Sequence, residues 1–399
     1  MPSSLSLTRL CQAPHRLLFF AGTTIILLAM AWWGWWLAGA RWGLWTVAMP
    51  QIPSGLLHAY LMQYQVLPCF IFGFLLTVFP RWIGQPDLDR RHALPVGVGF
   101  LGGQILVLVG AMGWGPGILA GSALTLAGWI VALTPLARLA WHDRGRTWHA
   151  AACLAALLAG GLGQILWLGF LLGGDAALAD LAVRIGTFGL LAPIYFTVAH
   201  RMIPFFAASA LAGYQPWRPY WALGAGLGLM LLMIVLPPRW QWVAALPLCA
   251  LSLLLLARWF PKRDMPGLLL VLFIGFAWLP CAFALQAGQS LALALWDWPI
   301  LGKAPAHALF IGFFGSILVA MVTRVTQGHS GRPLTLPGVA VYAFIAVQLV
   351  CIARIAGELA GDWLAWQAVA AAGWLLAFGP WAIWAGRVYL LPRADGKPG

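Results

Sequence analysis

Acidic residues are scarce in this chain: it has ten aspartates and glutamates among 399 residues, and Glu358 is its only glutamate. Charged residues of both signs make up 8% of the sequence, against about a quarter in a soluble domain. Every aspartate lies in a predicted loop or near a predicted helix end. Proton-coupled carriers usually need a carboxylate in mid-membrane as a relay. The sequence therefore offers no such relay and no solvated domain of any size.

Cysteine is also scarce and scattered. The six cysteines, at positions 11, 69, 153, 249, 281 and 351, form no Cys-x-x-Cys pair and no Cys-x-x-Cys-His sequence. Covalent attachment of a c-type haem needs the second motif, and an iron–sulfur cluster needs several closely spaced cysteines. The sequence excludes both groups.

Apolar residues fill most of the chain, which is 62% hydrophobic with a mean hydropathy of +0.87. Apolar runs of about 20 residues, the length that crosses a bilayer, recur between short polar breaks. They predict an all-α polytopic membrane protein with about twelve transmembrane helices. All of it is expected to form one helical domain, residues 1–399, with cytoplasmic tails of about 1–16 and 389–399. The predicted helices 1 to 12 are approximately 17–38, 55–79, 93–112, 117–140, 149–173, 180–203, 219–236, 240–260, 266–287, 304–327, 337–357 and 363–388.

The positions of the basic residues explain the net charge of +13. If the N-terminus is cytoplasmic, 18 of the 23 lysines and arginines lie on the cytoplasmic side. The other five are Arg41, Arg184, Arg239, Lys303 and Arg354. The positive-inside rule then predicts that both termini are cytoplasmic, and it makes membrane lipid rather than nucleic acid the expected partner.

The first helix resembles a cleavable signal in one respect, because Ala38-Gly39-Ala40 has the small residues of a signal-peptidase site. The apolar run before it is about 22 residues, which is too long for the core of a signal peptide. We therefore expect an uncleaved first span.

Predicted helix 2 carries His58, Met62, Gln65 and Cys69 at i, i+4, i+7 and i+11, which is one stripe of a regular α-helix. Imidazole, thioether and thiol groups suit haem iron and copper, and the softer two favour Cu(I). An interhelical seam with one hydrogen-bonded histidine would show the same stripe. The stripe alone does not distinguish the metal site from the interhelical seam.

His307 favours the metal interpretation. It begins predicted helix 10 on the outer side, as His58 begins predicted helix 2, so both histidines are expected at similar depth. Two histidines from different helices at one depth are suited to be the axial ligands of a haem b. Met321 shares the helical face of His307 but lies about 21 Å deeper, too far for the same metal.

The inner side shows a second group of basic residues. His200 and His329 are expected beside Arg201, Arg324 and Arg332. The turn 328–333 offers backbone N–H groups and cations, so an anion site for haem propionates or for lipid phosphate is predicted. A lipid-headgroup anchor is the alternative for the arginines, and a second metal site is the alternative for His200 and His329.

Predicted helices 2, 6 and 10 have a common form, since each runs from outside to inside and ends near an arginine. This spacing suggests a threefold repeat of four helices each. The remaining histidines lie in flanks or loops among arginines, where solvated side chains are expected. They are His15, His92, His142 and His149.

Three segments resemble the NnrS family of bacterial membrane proteins. They are His58 to Met62 with GFLLTVFPRWIG (73–84), HRMIPFFA (200–207), and the run from His307 to Leu334 ending in MVTRVTQGHSGRPL. The resemblance implies a haem b protein of the inner membrane, with copper as a further metal, that binds or metabolises nitric oxide and protects against nitrosative stress. One departure stands out: the family usually reads His-x-His-Glu-Met, and Tyr60 and Leu61 occupy the two middle positions here.

The layout is also similar to subunit I of the haem–copper oxidases, with twelve helices in a threefold arrangement and a bis-histidine haem between helices 2 and 10. The oxidases' histidine pair on helix 7 has no counterpart in 219–236. Two other classes of function stay open: a metal-free transporter or lipid-binding bundle, which would contain no haem, and a haem-based sensor, which would not consume nitric oxide. The sequence does not indicate whether the protein is a monomer or an oligomer.

Overall fold

The computed structural model describes residues 5–48, 52–88 and 92–396, and in these ranges it is helical with no strand. Twelve long apolar helices follow one another along the chain, which confirms the predicted fold class. In chain order they are α1 (Pro14–Trp42), α2 (Ser54–Trp82), α3 (Ala93–Ala111), α4 (Pro116–Asp143), α5 (Trp148–Leu171), α6 (Ala176–Ala210), α7 (Tyr220–Val235), α8 (Trp242–Trp259), α9 (Gly267–Trp296), α10 (Ala304–His329), α11 (Gly338–Ala356) and α12 (Trp363–Leu390).

Eleven of these helices have the length and hydropathy of a membrane span. The exception is α7, whose 16 residues rise about 24 Å, a little less than the hydrocarbon core. Several helices extend beyond the predicted apolar runs because polar and aromatic residues continue them into the interface. The helix α1, for example, begins at Pro14 and ends before Gly43, whose φ of +61° is the left-handed cap that favours glycine.

The chain divides into two compact units. Unit 1 comprises Met1–Ile194, His329–Arg332 and Ala382–Gly399, and unit 2 comprises Tyr195–Gly328 and Pro333–Trp381. Each unit is therefore made of helical segments that are distant in the sequence. The prediction of one functional domain over residues 1–399 stays a prediction.

In unit 1, glycines bring α3 and α4 into backbone contact. A Cβ atom on Gly99 would collide with the backbone of Gly128, and one on Gly103 would collide with the side chain of Thr125. Small residues that permit close approach are typical of helix pairs in membranes, where packing rather than hydrophobicity drives association. This packing fixes Thr125, whose hydroxyl meets α2.

In unit 2, α10 packs against α9 and α11. Polar groups connect these helices, because Trp278 of α9 donates its indole N–H to Gln348 of α11 over 2.6 Å, and Gln348 donates to Ser316 of α10 over 2.7 Å. The aromatic rings of Phe276 and Phe313 pack edge to face between α9 and α10. Hydrogen bonds inside a bilayer satisfy groups that lipid cannot, so they fix α10 in one orientation.

Candidate functional site

Three helices, α2, α6 and α10, each contain a π-helical segment close to their first turns. The segments are Leu61–Val66, Ile185–Leu191 and Ala308–Gly315. A π-helix, with hydrogen bonds from i to i+5, is rare and occurs frequently at functional sites. These are the same three helices that the sequence analysis singled out. The shared feature supports a repeat of these helices, and the threefold arrangement itself stays a prediction.

Two of the π-helical segments contact each other inside unit 1. Gln63 of α2 donates its side-chain amide to Thr187 of α6 over 2.9 Å, and the Tyr64 hydroxyl donates to the Ala182 carbonyl over 2.5 Å. Both partners are buried. The widened turns thus direct polar side chains of α2 towards α6 rather than towards lipid.

The π-helical segment also changes the predicted stripe on α2, which assumed a regular α-helix. Gln65 donates to the Thr125 hydroxyl of α4 over 2.9 Å, whereas the Cys69 thiol donates to the Leu18 carbonyl of α1 over 3.2 Å. The two side chains therefore point to different helices. A thiol that donates a proton to a carbonyl is not in the thiolate form that binds metal. Copper binding by Met62 and Cys69 stays a prediction, without support from this geometry.

His58 is half-buried near the start of α2 and packs flat against an indole. Its ring lies 4.6 Å from the ring of Trp33, with an angle of 10° between the planes. Trp33 in turn stacks on Trp36 at 5.5 Å. The sequence analysis missed Trp33. The signal for it is the doubled tryptophan pair WWGWW in α1, which is denser than interfacial anchoring requires.

His307 is half-buried near the start of α10, and the contact of its Nδ1 atom sets its tautomer. Nδ1 lies 2.9 Å from the backbone carbonyl oxygen of Lys303. A carbonyl only accepts, so Nδ1 carries the hydrogen and the lone pair of the neutral ring is on Nε2. Histidines that ligate metals usually donate their other ring N–H to a carbonyl or carboxylate in this way. The contact is compatible with ligation through Nε2, and ligation by His307 stays a prediction.

A buried ion pair lies beside the turn that precedes His307. Arg354 and Glu358, both in or just after α11, approach to 2.5 Å, and their side chains are 4% and 10% exposed. Gly302, with φ of +49°, contacts Glu358 so closely that any side chain at this position would collide with its carboxylate. The only glutamate of the chain therefore packs on the residue next to Lys303, whose carbonyl orients His307.

One of the two predicted anion partners in unit 2 lies far from His307 along α10. Arg324 is 17 residues further along α10, a rise of about 25 Å, beyond the reach of a propionate from a haem at His307. Its guanidinium stacks over the Phe206 ring at 3.9 Å, a cation–π contact. Arg201, near the same end of α6, is half-buried. Binding of haem propionates by Arg201 and Arg324 stays a prediction, and the position of Arg324 on α10 gives it no support.

Arg332 lies in unit 1, after the end of α10, and one of its guanidinium nitrogens, Nη1, is buried without an acceptor among residues 5–48, 52–88 and 92–396. Burial lowers the pKa of this guanidinium. A buried cationic donor of this kind favours an anion as its partner. The predicted anion site at the turn 328–333 stays a prediction, with this observation in its support.

The two inner histidines have different surroundings. His200, in unit 2, is fully buried, and its Nε2 donates to the Pro219 carbonyl over 3.2 Å, which ties α6 to the start of α7. His329, in unit 1, packs its ring 4.5 Å from that of His15. Metal binding by either one stays a prediction. The contact of His200 with a carbonyl is also what a structural histidine would make.

The expectation that the flanking histidines are solvated is wrong for two of them. His15 is 4% exposed and His149 is 1% exposed. His15 is the second residue of α1. Its neighbour Arg16 donates to the carbonyl oxygens of Tyr389, in α12, and Leu391, just after it, over 3.1 and 3.0 Å. The helices continue past the apolar runs, so residues assigned to loops are packed between helices.

The donor set fits a haem better than a metal ion held by protein alone. The residues that the structure describes contain no group of three or more histidine, cysteine, aspartate or glutamate side chains placed to hold a metal. A haem b supplies four nitrogens itself and needs only one or two axial side chains. His307, with its tautomer fixed, and His58, held flat against Trp33, are suited to that need.

Comparison with known protein families agrees with the motifs described above. Residues 9–393 match a family described as NnrS protein, and a comparison with curated proteins gives no match. The matched range includes every one of the twelve helices and all three π-helical segments. The chain therefore belongs to the NnrS family.

Proposed function

We propose that this protein is a haem b protein of the bacterial inner membrane that binds or metabolises nitric oxide and so protects against nitrosative stress. Membership of the NnrS family supports the proposal. The observation that carries it is the environment of His307, whose Nδ1–H donates to the Lys303 carbonyl and directs the Nε2 lone pair away from the backbone.

In this proposal His58 and His307 would each be a ligand of the haem iron. The haem, when bound, supplies an iron to which nitric oxide binds. Trp33 keeps the His58 ring in one orientation, and the Lys303 carbonyl does the same for His307. Copper is proposed as a second metal with less support, because its predicted ligand Cys69 donates to a carbonyl.

An absorption spectrum of the purified, detergent-solubilised protein tests the proposal. We expect a Soret band in the oxidised protein, sharp α and β bands after reduction with dithionite, and a shift of these bands on addition of nitric oxide. Metal analysis of the same sample measures iron and copper per chain. A folded, monodisperse protein from haem-replete cells that shows no Soret band would overturn the haem proposal and favour the metal-free transporter.

A further inference from the structure

Two tryptophans of α1 have buried indole N–H groups that meet no acceptor. The Nε1 atoms of Trp32 and Trp36 are buried, and neither has a hydrogen-bond partner in the part of the chain that the structure describes, residues 5–48, 52–88 and 92–396. Trp32 as a whole is 6% exposed. A buried donor without an acceptor is costly, and lipid hydrocarbon supplies none. A pair of such donors in one place therefore indicates a ligand with acceptor atoms.

The two indoles lie on one face of α1 and next to the candidate haem ligand. Residues at i and i+4 of a helix share a face, as Trp32 and Trp36 do. Trp33 lies between them, with ring distances of 5.9 Å to Trp32 and 5.5 Å to Trp36. The same Trp33 ring stacks on His58 at 4.6 Å. We call Trp32, Trp33 and Trp36 the tryptophan cluster.

The chemistry of the cluster selects the ligand. An indole N–H only donates, so the ligand must present acceptors. An anionic acceptor forms a stronger hydrogen bond than a neutral one, and two donors on adjacent turns suit the two oxygens of a carboxylate. The haem b proposed to be held by His58 carries two propionate carboxylates. The position of Arg324, a full helix length from His307, gives no support to its binding them.

We propose that the indole N–H groups of Trp32 and Trp36 bind a propionate carboxylate of the haem. The inference rests on the proposed function, because it needs a haem at His58. It adds a binding site for the acidic edge of the haem that is made of neutral donors. A neutral donor costs less to bury in a membrane than an arginine at the same depth.

The test replaces the N–H and nothing else. Trp32 and Trp36 are each exchanged for 3-benzothienylalanine, in which sulfur takes the place of the indole N–H and the shape of the ring is kept. The same exchange at Trp35 is the control, because its ring stacks on Trp45 and lies outside the cluster. Protein made without haem is then reconstituted with haem b or with haem b dimethyl ester, whose propionates carry no charge.

We expect each exchange in the cluster to weaken the affinity for haem b about tenfold. The affinity for the dimethyl ester should differ little between the wild type and the cluster variants. The control at Trp35 should leave both affinities unchanged. The Tm of the haem-free protein should not fall in any variant, since the removed donors have no acceptor there, and this result shows that the variants fold.

Other results separate the possible failures. A wild-type protein that takes up no haem overturns the proposed function. Haem uptake that is equally tight in wild type and cluster variants, or equally tight for haem b and its dimethyl ester, overturns the propionate site. If the propionate site is overturned, a lower content of bound phospholipid in the cluster variants, measured as phosphate per chain, would identify a lipid phosphate as the acceptor instead.

Discussion

The tautomer and the ring orientation of a metal-binding histidine are set by the hydrogen bond of its other ring nitrogen. For His307 this is the Lys303 carbonyl, and the turn that carries Lys303 packs on Glu358 through Gly302. The carboxylate is buried and paired with Arg354. The only glutamate of the chain thus stabilises the backbone that orients the candidate ligand.

The substitution Glu358→Gln should therefore destabilise the protein and its haem site together. It leaves the Arg354 charge buried without its partner, a change that costs about 3 kcal/mol in buried pairs. We expect a lower midpoint of thermal unfolding and a changed Soret band in the same variant. The control is Asp297→Asn, which breaks the ion pair of Arg239 and Asp297 whose side chains are 57% and 84% exposed. The control should cost less than about 1 kcal/mol, and equal effects of both substitutions would refute a special role for Glu358.

Residue types and spacing predicted His58 and His307 as candidates but not the groups that hold them. The Lys303 carbonyl is a backbone atom, which every residue has, so no residue type indicates it. Trp33 is one of 25 tryptophans, and its contact with His58 follows from the packing of α1 on α2. His15 is expected in solvent because it lies in a flank among arginines, yet it is buried and packs against His329, which is far away in the sequence.

The π-helical segments decide which side chains face one another at the scale of the helix. Each residue of an α-helix turns the chain by about 100°, so the widened turns in Ala308–Gly315 set the direction of His307 relative to the rest of α10. Periodicity at 3.6 residues assumes a regular helix. On α2 the segment Leu61–Val66 lies between His58 and Cys69, and Gln65 and Cys69 contact different helices.

Deletion of Ile311, inside the π-helical segment of α10, should convert it to a regular α-helix and turn His307 by about 100°. We expect the purified variant to lose most of its bound haem, measured as the ratio of Soret absorbance to protein absorbance. The control is deletion of Gly228 in α7, a regular helix outside the three related ones, at a position with open space around it. Retention of the Soret band after deletion of Ile311, in monodisperse protein, would contradict this role of the segment.

For the whole molecule, hydropathy predicted the twelve helices, because the need to satisfy every backbone group in lipid leaves few alternatives. It predicted their ends less well, since polar residues extend the helices beyond the apolar runs. Hydropathy places each helix at a depth but does not indicate which helices are neighbours. The predicted pairing of His58 with His307 therefore rests on depth and on the family resemblance.

The distribution of charge predicts how the molecule is inserted. With 18 of the 23 basic residues on one side, both termini should be cytoplasmic. A fluorescent reporter that folds only in the cytoplasm should be active when fused after Gly399, and alkaline phosphatase should be active when fused after Gly43. Activity of alkaline phosphatase at the C-terminus would reverse the proposed topology.

The central claim, that His58 and His307 are the axial ligands of a haem b, is tested most directly by electron paramagnetic resonance of the ferric protein. We expect a low-spin signal in the wild type. His58→Ala and His307→Ala should each lose it, either with the haem itself or through conversion to a high-spin signal that added imidazole restores to low spin. His142→Ala, at an exposed position, should retain it. A wild-type low-spin signal in both His58→Ala and His307→Ala would contradict the account.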